Sequence, residues 1–222
     1  MPFIPHALEA VIFDMDGVLI DSEVLYQKAA MDAAKALGFP MSAEVQLQTV
    51  GLAADTTEIL LREIMGEEFP FEEYNTNLRQ VLATQLMTHV PVKPGVRELL
   101  TLLNELEIPT AVATSTGHEA AHHHLNRADL SPHFAAIVTR DDVDNGKPHP
   151  EPYLTAAEWL EVEPENCLAL EDSHNGVRAA HGAGMQTIMV PDLLVATEEM
   201  RALTIAIMDD LHLVRRHFEV PS

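Results

Sequence analysis

Along most of the chain, short unbroken apolar runs alternate with stretches in which apolar residues recur every three or four positions. The first run, Ala10-Val11-Ile12-Phe13, is rich in β-branched and aromatic residues, the pattern of a strand buried on both faces of a parallel sheet. Similar runs predict strands over 110–113, 135–139, 167–170 and 187–190, and a shorter one over 205–208. Helical spacing appears first at Leu25, Ala29, Ala33 and Leu37, and Gly38 ends it. Further helices are predicted over 43–66 and 71–88, with Leu60, Ile64, Leu78, Leu82 and Leu86 on their buried faces. Val96, Leu99, Leu100, Leu103 and Leu106 form one face of another helix, which Pro109 cannot extend. The remaining helices fall over 117–127, 150–160, 174–182 and 210–218.

Between 21 and 90 no strand pattern occurs, whereas strands and helices alternate on either side. Alternation of this kind argues for a parallel sheet covered by helices on both faces. The fold class expected is therefore α/β: a doubly wound, Rossmann-like parallel sheet core with an inserted all-helical cap domain. The core is expected over 1–20 and 91–222 and the cap over 21–90, rejoined through the stiff segment Pro91-Val92-Lys93-Pro94-Gly95. An insertion directly after the first strand sits where strands end, which makes it a candidate lid. Its hinges are expected near 20–22 and 87–92.

Composition narrows the classes. With 13 Lys and Arg against 35 Asp and Glu, the formal net charge is −22, so the surface repels nucleic acid and anionic lipid. No apolar run approaches the ~20 residues of a membrane span, and the first ten residues lack the basic and apolar regions of a signal peptide. Cys167, the single cysteine, lies in an apolar run and reads as a buried, inert thiol. A cytoplasmic protein is expected, with a monomer as the default and a small molecule as its partner.

Candidate chemistry gathers where strands end. Asp14 and Asp16 stand at i and i+2 after the first strand, so they point to one side, and Gly17 lets the chain turn past them. Thr114-Ser115-Thr116-Gly117, Gly146-Lys147-Pro148 and Glu171-Asp172-Ser173-His174-Asn175-Gly176 follow later strands. In a parallel sheet these ends share one edge, where ligands of open α/β sheets bind. Asp14, Asp16, Glu171 and Asp172 offer hard oxygen ligands suited to Mg²⁺. Lys147 supplies a point charge for phosphate, Thr114 and the following N–H groups suit phosphate oxygens, and a carboxylate can accept a phosphoryl group.

These four stretches, in this order, resemble the haloacid dehalogenase superfamily, and in particular its subfamily with a helical cap, which includes β-phosphoglucomutase and many sugar-phosphate phosphatases. The resemblance covers essentially the whole chain. It implies that Asp14 is the nucleophile that forms an aspartyl-phosphate and that Asp16 is the general acid/base. It also implies that Thr114 and the Ser115 amide grip the phosphoryl group, that Lys147 balances its charge, and that Glu171 and Asp172, with Asp14 and the Asp16 carbonyl, hold Mg²⁺. The family's dehalogenases use no metal; the acidic pair here matches the phosphate branch.

Mutase relatives place a histidine where this chain has Tyr26, and an arginine just after a cap glycine where Gly51 precedes Leu52-Ala53-Ala54-Asp55. Cap cations are few (Lys28, Lys35, Arg62 and Arg79), and a lysine common after the Thr/Ser motif is replaced by Gly117 and His118. The expectation is a Mg²⁺-dependent phosphatase for a small phosphorylated metabolite, a sugar or polyol phosphate. The alternatives are a phosphosugar mutase and a non-catalytic binding protein of the same fold. Substrate contacts are expected among residues 21–26, at Gly51, Leu52 and Ala53, and at His118. His122-His123-His124 reads as a solvated face, Met185 and Met189 as core, and Trp159 as packing between helix and sheet.

Overall fold

The run that opens the first apolar segment is strand β1 (Ala10–Phe13), with every residue buried. A computed structural model describes residues 8–49, 52, 54–88 and 90–218, apart from the Glu23 side chain. β1 is followed by helices α1 (Ser22–Ala36), α2 (Ala43–Leu47), α3 (Ala54–Met65), α4 (Phe71–Thr88) and α5 (Val96–Glu105). Then come β2 (Thr110–Ala113), α6 (His118–Arg127), β3 (Ala136–Val138), α7 (Glu151–Trp159), β4 (Cys167–Glu171), α8 (His174–Gly182) and β5 (Gln186–Met189). The chain closes with α9 (Glu198–Leu203), β6 (Ala206–Ile207) and α10 (Leu211–Arg216).

The six strands form one parallel sheet in the order β3-β2-β1-β4-β5-β6. β1 is flanked by β2 and β4, so the strand order reverses beside it. That reversal opens a crevice at the carboxyl ends of the strands. Side chains alternate between faces. On one face Ile12, Ala111, Ala113, Val138 and Ala169 pack against Tyr153, Ala156 and Ala157 of α7 and Ala179 and Ala180 of α8. The small residues let these helices lie close to the sheet. On α5, Val96, Leu99, Leu100 and Leu103 are almost wholly buried, each worth about 1.5–3 kcal/mol.

The chain divides into two compact units, Ser22–Val90 and the remainder. The helical unit has its own core, in which Ala29, Ala30, Ala33 and Ala34 of α1 meet Leu61, Phe69, Tyr74 and Leu78. Within the sheet-bearing unit the segments that lead out and back are tied together. Ile20 bridges Val92 in antiparallel fashion, and the Asp21 N–H donates to the Pro91 carbonyl at 2.9 Å.

Several expectations are corrected. The helix expected over 43–66 is two, α2 and α3: α2 ends at Leu47, and just beyond it the Thr49 hydroxyl donates to the Gln46 carbonyl at 2.6 Å. The break resets the phase. Leu61 is the fully buried residue of α3, Leu60 is half-buried, and Ile64 is exposed. Leu82 and Leu86 are half-buried. Leu106 lies beyond the end of α5 and is exposed. Trp159 is 48% exposed, because Tyr153, Ala156 and Ala157 make the packing face of α7. The six-residue α9, capped by Thr197, was too short to leave a periodic signal. Among the described residues no helix is long and apolar enough to cross a membrane.

Candidate active site

Four segments bring polar side chains to the crevice beside β1. Asp14 follows β1 directly, and its N–H donates to the Leu170 carbonyl of β4 at 2.9 Å. The chain then turns, with the Gly17 N–H on the Ile20 carbonyl at 2.9 Å and the Leu19 and Ile20 N–H groups both on the Met15 carbonyl. Gly17 has φ +88°, and a Cβ there would lie 2.3 Å from Asp172 Oδ2, so a side chain is excluded twice over. Thr114 follows β2 and is tied to β3 through its N–H on the Val138 carbonyl at 2.9 Å. Glu171 ends β4 fully buried.

Lys147 reaches into this acidic group with its side chain only 5% exposed. Its ammonium donates to Asp14 Oδ1 at 2.5 Å and to Glu171 Oε1 at 2.6 Å, and lies 5.0 Å from the centre of the Tyr153 ring. The Tyr153 hydroxyl donates to Glu171 Oε1 at 2.8 Å. Glu171 Oε2 accepts from the Asp172 and Ser173 N–H groups at 3.0 and 3.1 Å and from the Ser173 hydroxyl at 3.1 Å. Glu171 is thus a fixed post on which Lys147, Tyr153 and the start of α8 converge.

Charge in the crevice is unbalanced. Burial raises the Asp14 carboxyl well above its ordinary range, and Glu171 and Asp172 add to this against the pull of Lys147. Burial, then Glu171 and Asp192, lift Asp172 to about 7, with Lys147 opposing. Burial opposes the Lys147 charge, but Asp14 and Glu171 outweigh it and hold the ammonium protonated. Oxygens of Asp14, Glu171 and Asp172 lie within 4.8 Å of one another. Three carboxylates against one ammonium, all hard oxygen donors, make a set that a divalent cation such as Mg²⁺ fits in charge and chemistry.

The structure brings together Asp14, Lys147, Glu171 and Asp172. Asp16, half-buried, accepts a hydrogen bond from the Thr116 hydroxyl at 2.8 Å. Thr114 is buried, and its hydroxyl accepts the Thr116 N–H at 3.0 Å. Ser115 is exposed beside it. Sequence reasoning missed Tyr153, for an aromatic on a helix face gives no sign that its hydroxyl faces a carboxylate. It also missed Thr116, which stood within a motif credited to its neighbours. The expected solvated face at 122–124 is corrected: all three histidines are half-buried, and His123 Nε2 and His124 Nδ1 are buried without a partner. Met185 and Met189 are core, and burial pushes the Cys167 thiol up to about 11. Gly51 and Ala53 lie outside the described residues, as does the side chain of Glu23.

Gly176 offers a test of the Glu171 post. A Cβ there would fall 1.7 Å from Glu171 Oε1. Glu171 cannot swing aside without losing its bonds to Lys147, Tyr153 and Ser173. Gly176→Ala is expected to destabilise the fold by about 1–3 kcal/mol, read from a urea melt, and to depress turnover. A variant with native stability and turnover would show that the Glu171 carboxylate is free to move.

The motifs in this geometry match a known family. The model of the haloacid dehalogenase-like hydrolases matches residues 11–190. The chain belongs to that family. It is 37% identical over 181 residues to the phosphorylated carbohydrates phosphatase of Thermotoga maritima, covering 82% of this chain and 84% of that protein. It is 34% identical over 196 residues to hexitol phosphatase B of Escherichia coli, covering 84% and 85%. Among solved structures, CbbY of Rhodobacter sphaeroides with phosphate superposes with a TM-score of 0.65 at 27% identity, covering 92% of this chain and 95% of that one. This family member is an enzyme of the phosphoric monoester hydrolase type.

Proposed function

We propose that the chain is a Mg²⁺-dependent phosphatase of small phosphorylated metabolites, sugar or polyol phosphates, working through an aspartyl-phosphate on Asp14. The observation that carries this reading is the Asp14 carboxylate at the crevice, ion-paired to a buried Lys147 and ringed by further oxygen donors. An Asp14 oxygen attacks phosphorus while the bond to the leaving oxygen breaks. The electron pair goes to that oxygen, which takes a proton from the Asp16 carboxyl. Asp16, now a carboxylate, takes a proton from water as that water attacks the phosphoenzyme and frees Asp14. Lys147, the Thr114 hydroxyl and the Ser115 N–H stabilise charge on the transferring group. Asp14, Glu171, Asp172 and the Asp16 carbonyl would hold Mg²⁺, which when bound offsets the negative charge of phosphate and carboxylates. The names of the two phosphatase relatives support the substrate class.

The test is phosphate release from a panel of sugar, polyol and other metabolite phosphates, with Mg²⁺ and with chelator. Release confined to Mg²⁺ and strongest on polyol or sugar phosphates is the expected result. Interconversion of hexose phosphate isomers without release would favour a mutase. Release undiminished by chelator would remove the metal from the reading.

A further inference from the structure

We propose that Thr116 is a positioning residue for proton transfer, its hydroxyl holding the Asp16 carboxyl toward the leaving oxygen of the substrate. The inference rests on the role of Asp16 proposed above. Thr116 Oγ1 donates to Asp16 Oδ2 at 2.8 Å, and leaves Oδ1 to carry the proton in flight. Both ends of this bond are anchored in the main chain. The Thr116 N–H donates to the Thr114 hydroxyl at 3.0 Å, and its carbonyl accepts the Arg140 N–H at 3.0 Å. On the other side, Asp16 bridges to Ile20 within the turn that Gly17 closes. A side chain with two rotatable bonds on a half-buried aspartate would otherwise sample several directions. A bond from a rigid donor confines it, and a near-attack geometry depends on such confinement.

Positioning of an acid has a signature that general structural damage lacks. An alkyl phosphate has a poor leaving oxygen and needs the Asp16 proton as its P–O bond breaks. The p-nitrophenolate of an aryl phosphate leaves without one. The parameter to compare is kcat/KM, which reports steps only as far as phosphoenzyme formation. It therefore does not include the later use of Asp16 as base.

The experiment measures kcat/KM for glycerol phosphate and for p-nitrophenyl phosphate in native protein, Thr116→Val and Thr116→Ser, with thermal melts on each. Valine keeps the shape and removes the donor; serine keeps the donor. Because a positioned general acid contributes roughly 10²–10⁴-fold, Thr116→Val is expected to lose at least about tenfold more on the alkyl than on the aryl substrate, and Thr116→Ser to recover most of the alkyl loss. Equal losses on both substrates would assign Thr116 to phosphate binding or folding and overturn the proposal, as would no loss on either. If Thr116→Val fails to fold, Thr116→Ala, which also lacks the donor, is measured in its place: an alkyl-selective loss there supports the proposal, and equal losses or none overturn it. Failure of the parent reading is separate, for it appears in the native chain as absence of hydrolysis of either ester.

Discussion

Asp14→Asn is expected to abolish turnover, lowering kcat by at least about 10⁴-fold, the scale on which loss of a covalent nucleophile is felt. The substitution is nearly isosteric. The asparagine carbonyl still accepts from the Lys147 ammonium, which keeps its second bond to Glu171. Asp14 is crowded by Glu171 and Asp172 and disfavoured as an anion by its own burial. Removing its charge therefore relieves repulsion while it weakens one ion pair. The two effects oppose each other, so the variant should melt within a few degrees of the native protein. Phosphate release under saturating Mg²⁺ and substrate, with a thermal melt on the same sample, checks both parts. Trapping of a phosphorylated peptide that contains Asp14 in native protein, and not in the variant, would locate the bond. Turnover within tenfold of native in a well-folded Asp14→Asn would mean that another group attacks phosphorus.

How much of this was legible before the structure depends on the length of the signal each element leaves. β1 and β4 are unbroken apolar runs ending at Asp14 and Glu171, so both strand and carboxylate could be placed together. α4, which follows Pro70, and α8 both occupy their expected spans. α2 and α3 read as one helix because helix period says little about where one helix ends and the next begins, and an error there shifts later residues to a wrong face. Ile64 and Leu61 exchange roles for that reason. At the site, residues of one motif were legible, since carboxylates at i and i+2 on a strand must share a side. Contacts between distant segments were not. Tyr153 meets Glu171 from 18 residues away, and Thr116 meets Asp16 across 100. Nothing in local spacing encodes either contact; each is set by how α7 and the β2–α6 turn dock on the sheet.

Lys147→Met is the second large effect, and it separates stability from catalysis. Lys147 is the cation that meets Asp14 and Glu171, and its side chain is almost wholly buried. Deleting one partner of a buried ionic group leaves the others uncompensated, at a cost of about 3–5 kcal/mol. Methionine fills similar volume, so little of that loss comes from a cavity. The cost should shrink when Mg²⁺ is added, because a divalent cation held among Asp14, Glu171 and Asp172 would restore the balance of charge. A larger Mg²⁺-induced rise in melting temperature in Lys147→Met than in native protein is the expected sign. Catalysis should not recover to the same degree. In the proposed mechanism the ammonium stabilises charge that grows on the transferring phosphoryl group, a contribution of roughly 10²–10³ in kcat for one such donor in a shielded site. Lys147→Arg should fail as well, since the guanidinium is wider than the space between the Tyr153 ring and two carboxylates that a single ammonium now occupies. Full turnover in either variant under saturating Mg²⁺ would show that Lys147 serves the fold alone.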